Sequence, residues 1–499
     1  MQFPYFSRLF WSIWLIYLFH FRHLAAGSDR FILLMMAIVE RGTIRLDAYY
    51  QNPFYQPYLG DIILYNNHAY ANINTGISFL AVPPWSVFYF FYKFIPETSL
   101  IHHEALHYFI AHFVGFAFTT ALFGALTACL IALIVDHKTQ QQWRSIGAAL
   151  LYAVGSIAFY LSTRLNQNIP IIFIVTVSFI YLFLPTLILP KKQIPRLITL
   201  GLLLGFGTII DMTMFPSLAV IGIFLLSQQR HSLKNIIWVV LGAIFPLFLQ
   251  FIYQFIAFGN PFLSPSLVLV QQSTGVETVN PAAMGLSFLN FVNIAQYLFS
   301  LKAGLFVYLP YSLLSVYYFV RFWRTSAVLN SAEKRFIAAL FGIYLIFLLV
   351  LPSRYLYPLF GPRYMAPVIP FMSILFALYW RSQEFKLGVI LIAFSFLFNL
   401  AGAQLGNDTN NILATTAIYS LRGPWLPVVD WLRVQLPQAT AVEIEILRPY
   451  GLLLLLGLVL GLLWGIPHLF PHNFFKENRG PQSKFHHHPP QEKLRKTEN

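Results

Sequence analysis

His103-Glu104-Ala105-Leu106-His107 has the spacing H-E-x-x-H. On a helix, two histidines one turn apart share a face and could hold Zn²⁺ while the glutamate activates a water. Such a site needs a third protein ligand and an open position. After His107 the chain reads Tyr-Phe-Ile-Ala-His-Phe-Val-Gly-Phe, with His112 five residues on and no acid before Asp136. A metalloprotease is therefore the weakest of the catalytic readings, and the five residues read as the polar start of a helix at a membrane surface. The other acids that could work as bases, Asp29, Asp47 and Asp61, crowd into one stretch near the N-terminus.

The elements that must position them belong to a membrane protein. Of 499 residues, 58% are hydrophobic, 17% aromatic and only 10% charged, too apolar for a soluble chain of this length. Uninterrupted apolar runs such as 105–135 and 448–470 reach the roughly 20 residues that cross a bilayer as a helix. The expected fold is all-α: a polytopic helical integral membrane protein with 11–13 transmembrane helices over residues 1–471, followed by a basic, disordered cytoplasmic tail at 472–499. The single cysteine, Cys129, excludes a disulfide framework and a cysteine-based metal site. The net charge of +14 does not point to nucleic acid, because the cations sit in short clusters between apolar runs.

Expected spans are about 8–24, 78–92, 105–135, 145–163, 169–189, 197–228, 235–258, 301–320, 336–352, 364–380, 387–404 and 449–469. By the positive-inside rule, Lys138/Arg144, Lys191/Lys192/Arg196, Arg230/Lys234, Arg321/Arg324/Lys334/Arg335 and Arg381/Lys386 read as cytoplasmic, as do both termini. Two topologies compete. If 78–92 crosses and 197–228 crosses once, Lys138 and Lys191 fall outside. If 78–92 is re-entrant and 197–228 is a pair broken around Asp211, every cluster falls inside.

This assignment makes 25–77 a first external loop of over fifty residues, far longer than a spacer requires. Phe31 to Val39 are apolar, flanked by Asp29-Arg30 and Glu40-Arg41, and too short to span, so an amphipathic helix lying at the outer interface is expected. Asp29 would open it, either as part of its N-cap or as a carboxylate at the membrane edge. The remaining loop is rich in Tyr and Asn, as suits a pocket for a hydroxylated ligand.

The loop resembles the first external loop of the GT-C glycosyltransferase superfamily, which includes the protein O-mannosyltransferases and the aminoarabinose transferases. Asp29-Arg30-Phe31 matches the family's acid after the first helix, and Gly42-Thr43-Ile44-Arg45-Leu46-Asp47 matches its G-T-x-x-x-D stretch. The run from Asn67-His68-Ala69-Tyr70-Ala71-Asn72 to Pro83 is similar to its G-H-Y-Y-S-D-K-x-P-G segment, with Asn72, Ile73 and Thr75 where the family has Asp-Lys and Pro. Further pieces follow in order: Gly155-Ser156, Asn166-Gln167-Asn168, Asp211 before Phe215-Pro216, Phe258-Gly259-Asn260-Pro261, Gly304 to Tyr308, and Phe360-Gly361-Pro362-Arg363-Tyr364-Met365.

The resemblance implies an enzyme that takes a hexose or pentose from a polyprenyl-phosphate donor and moves it to a lipid, glycan or protein acceptor on the outer face of a bacterial plasma membrane. In that reading Asp29, with Asp47 as second choice, is the base, and single displacement inverts the anomeric carbon. Arg363 is the expected phosphate ligand, because a planar, always-charged fork grips phosphate at two points; Lys302 would assist, with His68, Asp61, Tyr364, Asn72 and Asp211 around the substrate. Two acids could also hold a divalent cation, so metal dependence stays open. The competing readings are a transporter or lipid flippase, favoured by the break at Asp211, and a lipid-linked glycan ligase or polymerase.

Overall fold

In the computed structural model the described residues are 5–23, 29–59, 62–72, 74–94, 103–185, 187, 193–228, 233–263, 265, 289–351, 360–380, 385–406, 411–429 and 452–465. Helices dominate them, and the one sheet is a two-stranded hairpin. Four helices are long and apolar enough to cross a membrane, His103–Thr139, Gln193–Ile210, Asn235–Phe258 and Phe385–Leu405, and shorter apolar helices pack beside them.

The helices run alternately between two faces. On the first face α1 (Phe6–Phe19) ends beside the start of α5 (His103–Thr139), with the Phe21 and His112 rings 5.2 Å apart. The hairpin of β1 (Ile62–Tyr65) and β2 (His68–Ala71) meets the end of α11 (Leu233–Phe258) there, where Tyr253 Oη donates to the Ala71 carbonyl at 3.3 Å. On the same face Arg22 Nη2 donates to the carbonyl of Gln404 at 2.9 Å, near the end of α17 (Phe385–Leu405).

The opposite face carries the cations. Lys138, near the end of α5, lies 2.7 Å from Glu333 in the first turn of α15 (Ser331–Val350), a helix that Asn330 opens with a capping box. Arg144, at the start of α6 (Gln142–Ala153), donates to the Ala377 carbonyl near the end of α16 (Arg363–Tyr379) at 3.0 Å. Arg196 and Lys386 stand in the first turns of α9 (Gln193–Ile210) and α17.

For 78–92 the structure matches the re-entrant one of the two readings, and one further expectation changes. The stretch 78–92 does not run from face to face. It forms α4 (Gly76–Tyr92), whose first residue backs onto Ile209 and Ile210 at the end of α9, while the Tyr92 ring lies 4.9 Å from His107 at the start of α5. Both ends therefore lie on the face of the first loop. The expectation that changes concerns α2 (Asp29–Arg41), expected at the interface. Its residues Phe31 to Ala37 are at most 2% exposed, because α4 runs beside it in parallel: Ser78 Oγ donates to the Phe31 carbonyl at 3.0 Å and Trp85 Nε1 to Glu40 at 3.1 Å. Each of the Phe, Ile, Leu and Met side chains among them contributes about 1.5–3 kcal/mol by burial out of water, which fastens the loop to the bundle.

The long run 197–228 is broken as one of the two topologies required, into α9 and α10 (Met214–Gln228) around Asp211. The segment 145–163 is likewise divided, into α6 and the short α7 (Ala158–Ser162). The tail 472–499 lies outside the described residues.

Candidate active site

Asp29 is the first residue of α2, on the loop face, and Asp61 lies outside the described residues. Asp47 opens the single turn α3 (Asp47–Tyr50). Its Oδ2 is 2.7 Å from Nδ1 of His68 and its Oδ1 accepts the Ala69 amide at 2.7 Å, while the Leu46 amide donates to the Ala69 carbonyl at 2.8 Å. The partners are a third exposed, at 30% for Asp47 and 35% for His68. The hairpin that presents His68 turns at Asn66 and Asn67, with φ of 49° and 61°, and asparagine tolerates this left-handed pair better than other side chains. Two adjacent asparagines between Ile62-Ile63-Leu64-Tyr65 and His68-Ala69-Tyr70 were the overlooked signal for this hairpin.

Arg363 begins α16. Its Nη2 donates to the Tyr364 hydroxyl at 2.7 Å and its guanidinium lies 4.6 Å from that ring's centre. Gly361 just before it has φ of 77° and packs on Ile157 and Tyr308, where a Cβ would not fit. Lys302 is exposed in the turn before α13 (Leu305–Tyr308), and the Tyr308 hydroxyl donates to its carbonyl at 3.0 Å. Asn72 follows β2, and its buried Oδ1 has no hydrogen-bond partner among the described residues. Asp211 spends its Oδ1 on the Thr213 amide at 2.8 Å, whose carbonyl in turn accepts the Tyr344 hydroxyl at 2.7 Å. Of the expected site residues, the structure therefore joins Asp47 to His68 and Arg363 to Tyr364, and gives Asp211 a local role in the break between α9 and α10.

The H-E-x-x-H residues open α5 as expected, but their partners were not foreseen. Glu104 accepts from Asn52 Nδ2 at 2.8 Å, and His107 Nε2 lies 3.2 Å from Glu40 Oε1. Glu40 also accepts from Trp85 Nε1 and from the Tyr49 hydroxyl at 3.4 Å. Burial together with the Glu40 charge pushes the Tyr49 and Tyr55 hydroxyls well above their ordinary range. Among the described residues no group of three histidine, cysteine or acidic side chains is placed to hold a metal.

Sequence reading also passed over Arg164, alone in the polar stretch Ser162 to Asn168. It is 4% exposed, with its guanidinium 3.8 Å from the centre of the Tyr160 ring. Burial lowers it to about 10, which leaves it a cation at neutral pH.

Residues 105–253, from the second turn of α5 to near the end of α11, match the profile of the family described as dolichyl-phosphate-mannose-protein mannosyltransferase. This stretch is of the GT-C glycosyltransferase type. It carries Arg164, Asn166, Asn168 and Asp211, and α4 and the hairpin pack on its loop-face ends. No curated protein matches the chain. Among solved structures, ArnT from Cupriavidus metallidurans bound to undecaprenyl phosphate is similar at 12% identity and a TM-score of 0.49, over 89% of this chain and 71% of that one. The Archaeoglobus fulgidus oligosaccharyltransferase is similar at 12% identity and a TM-score of 0.41, over 90% of this chain and 60% of that one. The matched stretch covers all or most of three of the four helices that are long and apolar enough to cross a membrane.

Proposed function

We propose that the whole chain is a membrane glycosyltransferase that moves a sugar from a polyprenyl-phosphate donor to an acceptor on the outer face of a bacterial plasma membrane. The observation that carries this reading is the mannosyltransferase profile match over residues 105–253. The outward orientation is supported by the cations: Lys138, Arg144, Arg196, Lys334 and Lys386 share the face opposite the first loop, as the positive-inside rule requires of a cytoplasmic side.

Chemically, the acceptor hydroxyl must lose a proton as it attacks the anomeric carbon, and the leaving phosphate must be met by fixed positive charge. Asp29 supplies the base in this reading. Asp47 is the weaker candidate, because both its oxygens are engaged by the hairpin, one by His68 and one by Ala69. Arg363 meets the phosphate, oriented by the Tyr364 hydroxyl. In-line displacement by these groups inverts the anomeric carbon.

The test uses purified full-length protein in lipid nanodiscs with radiolabelled polyprenyl-phosphate sugars and a membrane-glycan extract. Wild type consumes donor, and Asp29→Asn slows turnover by about 10²–10⁴-fold, the range for losing a general base. Donor consumption by no preparation, or turnover by Asp29→Asn and Arg363→Ala as fast as wild type, rejects the reading.

A further inference from the structure

The loop face contains buried positive charge that neither the proposed base nor Arg363 accounts for. Arg164 lies in the turn between α7 and α8 (Asn168–Phe183), and its backbone is locked in place. Asn166 Nδ2 donates to the carbonyls of Leu161 and Arg164, its Oδ1 accepts the Asn168 amide at 2.9 Å, and its own amide donates to Thr120 Oγ1 at 3.3 Å. The end of α1 is tied to the same turn by the Arg22 amide, which donates to the Thr163 carbonyl at 2.8 Å. The Arg22 side chain runs on to the carbonyls of Gln404 and Leu405.

Two more basic side chains complete the layer. His23 and His112 are 2% and 0% exposed, with their rings 5.2 Å apart. The charges of Arg22 and Arg164 oppose each other, and among the described residues no carboxylate is paired with Arg164. Leaving a buried charge uncompensated is expensive. Among the described residues it is the Tyr160 side chain that faces this charge, and an arriving anion would offset the remaining cost.

We propose that Arg164 and Arg22 form the inner part of an anion site that takes a phosphate group at the loop face. Arg363 stands on the same side: its near neighbour Phe360 packs 4.8 Å from the Tyr160 ring that lies under Arg164. A guanidinium held over an aromatic ring keeps its N–H edge for a ligand, and that edge matches two phosphate oxygens. Burial strengthens such a contact, because little water competes for either partner. That the phosphate belongs to a polyprenyl lipid rests on the proposed function; the affinity for phosphate does not.

The test is equilibrium binding without turnover, to the full chain in nanodiscs of zwitterionic lipid. The probes are a polyprenyl monophosphate, the neutral polyprenol of equal length, and inorganic phosphate. Wild type binds the lipid phosphate, and Arg164→Gln weakens it at least about tenfold, while Arg164→Lys, which keeps charge but not the fork, falls between. Arg335→Gln, an exposed cation of the opposite face, leaves binding unchanged. Dependence on Arg164 for the lipid phosphate alone assigns the site to a lipid, and the same dependence for inorganic phosphate assigns it to free phosphate; either supports the site. Equal binding by Arg164→Gln, or polyprenol binding as well as its phosphate, overturns it.

Thermal unfolding separates this from a structural arginine. Replacing an uncompensated buried charge by Gln or Met keeps or raises the unfolding temperature without ligand, and removes the stabilisation that ligand gives wild type. Failure of both neutral variants to fold would mean that the protein itself satisfies Arg164, and would also overturn the proposal. Phosphate binding that depends on Arg164, in a protein that consumes no sugar donor, would refute the proposed transferase and leave this site standing.

Discussion

Asp47 and His68 are joined across 21 residues by a 2.7 Å contact between carboxylate and imidazole. The same carboxylate holds the backbone of the next residue, so it serves the hairpin as a fastener. Asp47→Asn keeps an oxygen for the Ala69 amide and is expected to retain most turnover, in contrast to Asp29→Asn. Asp47→Ala abandons both contacts and lowers stability by about 1–3 kcal/mol, the cost of stranding a partly buried partner. Thermal unfolding and donor turnover, measured on the three variants together, check this. A hundredfold loss in Asp47→Asn at unchanged stability would make Asp47 the base.

The hydrophobic runs made the bundle legible in the sequence, since length and apolarity alone decide what crosses a bilayer. The same rule left 78–92 open between a full crossing and a re-entrant segment. Its apolar length satisfies a span, yet its hydrophobic surface is used against α2, whose Phe31 to Ala37 it helps to bury. Hydropathy measures how much a segment must bury and is silent on what buries it. The acids of the candidate site were legible by type and position. Arg164 and Glu40 were not, because their importance comes from groups distant in sequence: Arg22 for one, Trp85 and His107 for the other.

Asp211 distinguishes a carrier from a capped break. A carrier's intramembrane acid would bind the transported species, whereas this one accepts the Thr213 amide within its own turn. Asp211→Asn preserves that acceptor and is expected to match wild type in stability and turnover. Asp211→Ala loses it and costs about 1 kcal/mol, as for removal of a helix cap. A variant Asp211→Asn that folds normally but loses all function would revive the transport reading.

Glu40 and His107 explain why an H-E-x-x-H sequence occurs without a metal's third ligand. The carboxylate, 9% exposed, ends α2 and receives Trp85 from α4 and Tyr49 from α3, with His107 of α5 at 3.2 Å. One side chain thus joins four elements around the start of α5, and Glu104 adds a link to Asn52. Glu40→Gln keeps an acceptor for Trp85 and loses only the negative charge that stands 3.2 Å from His107 Nε2. Glu40→Ala leaves the indole N–H and the tyrosine hydroxyl unsatisfied in a dry site, and costs about 1–3 kcal/mol more. The order wild type, Glu40→Gln, Glu40→Ala should therefore appear in thermal unfolding, and again in the rate at which protease cuts within residues 25–77. Equal behaviour of Gln and Ala would mean that the cluster does not hold the loop, and His103 and His107 would then need another reason to stand one turn apart.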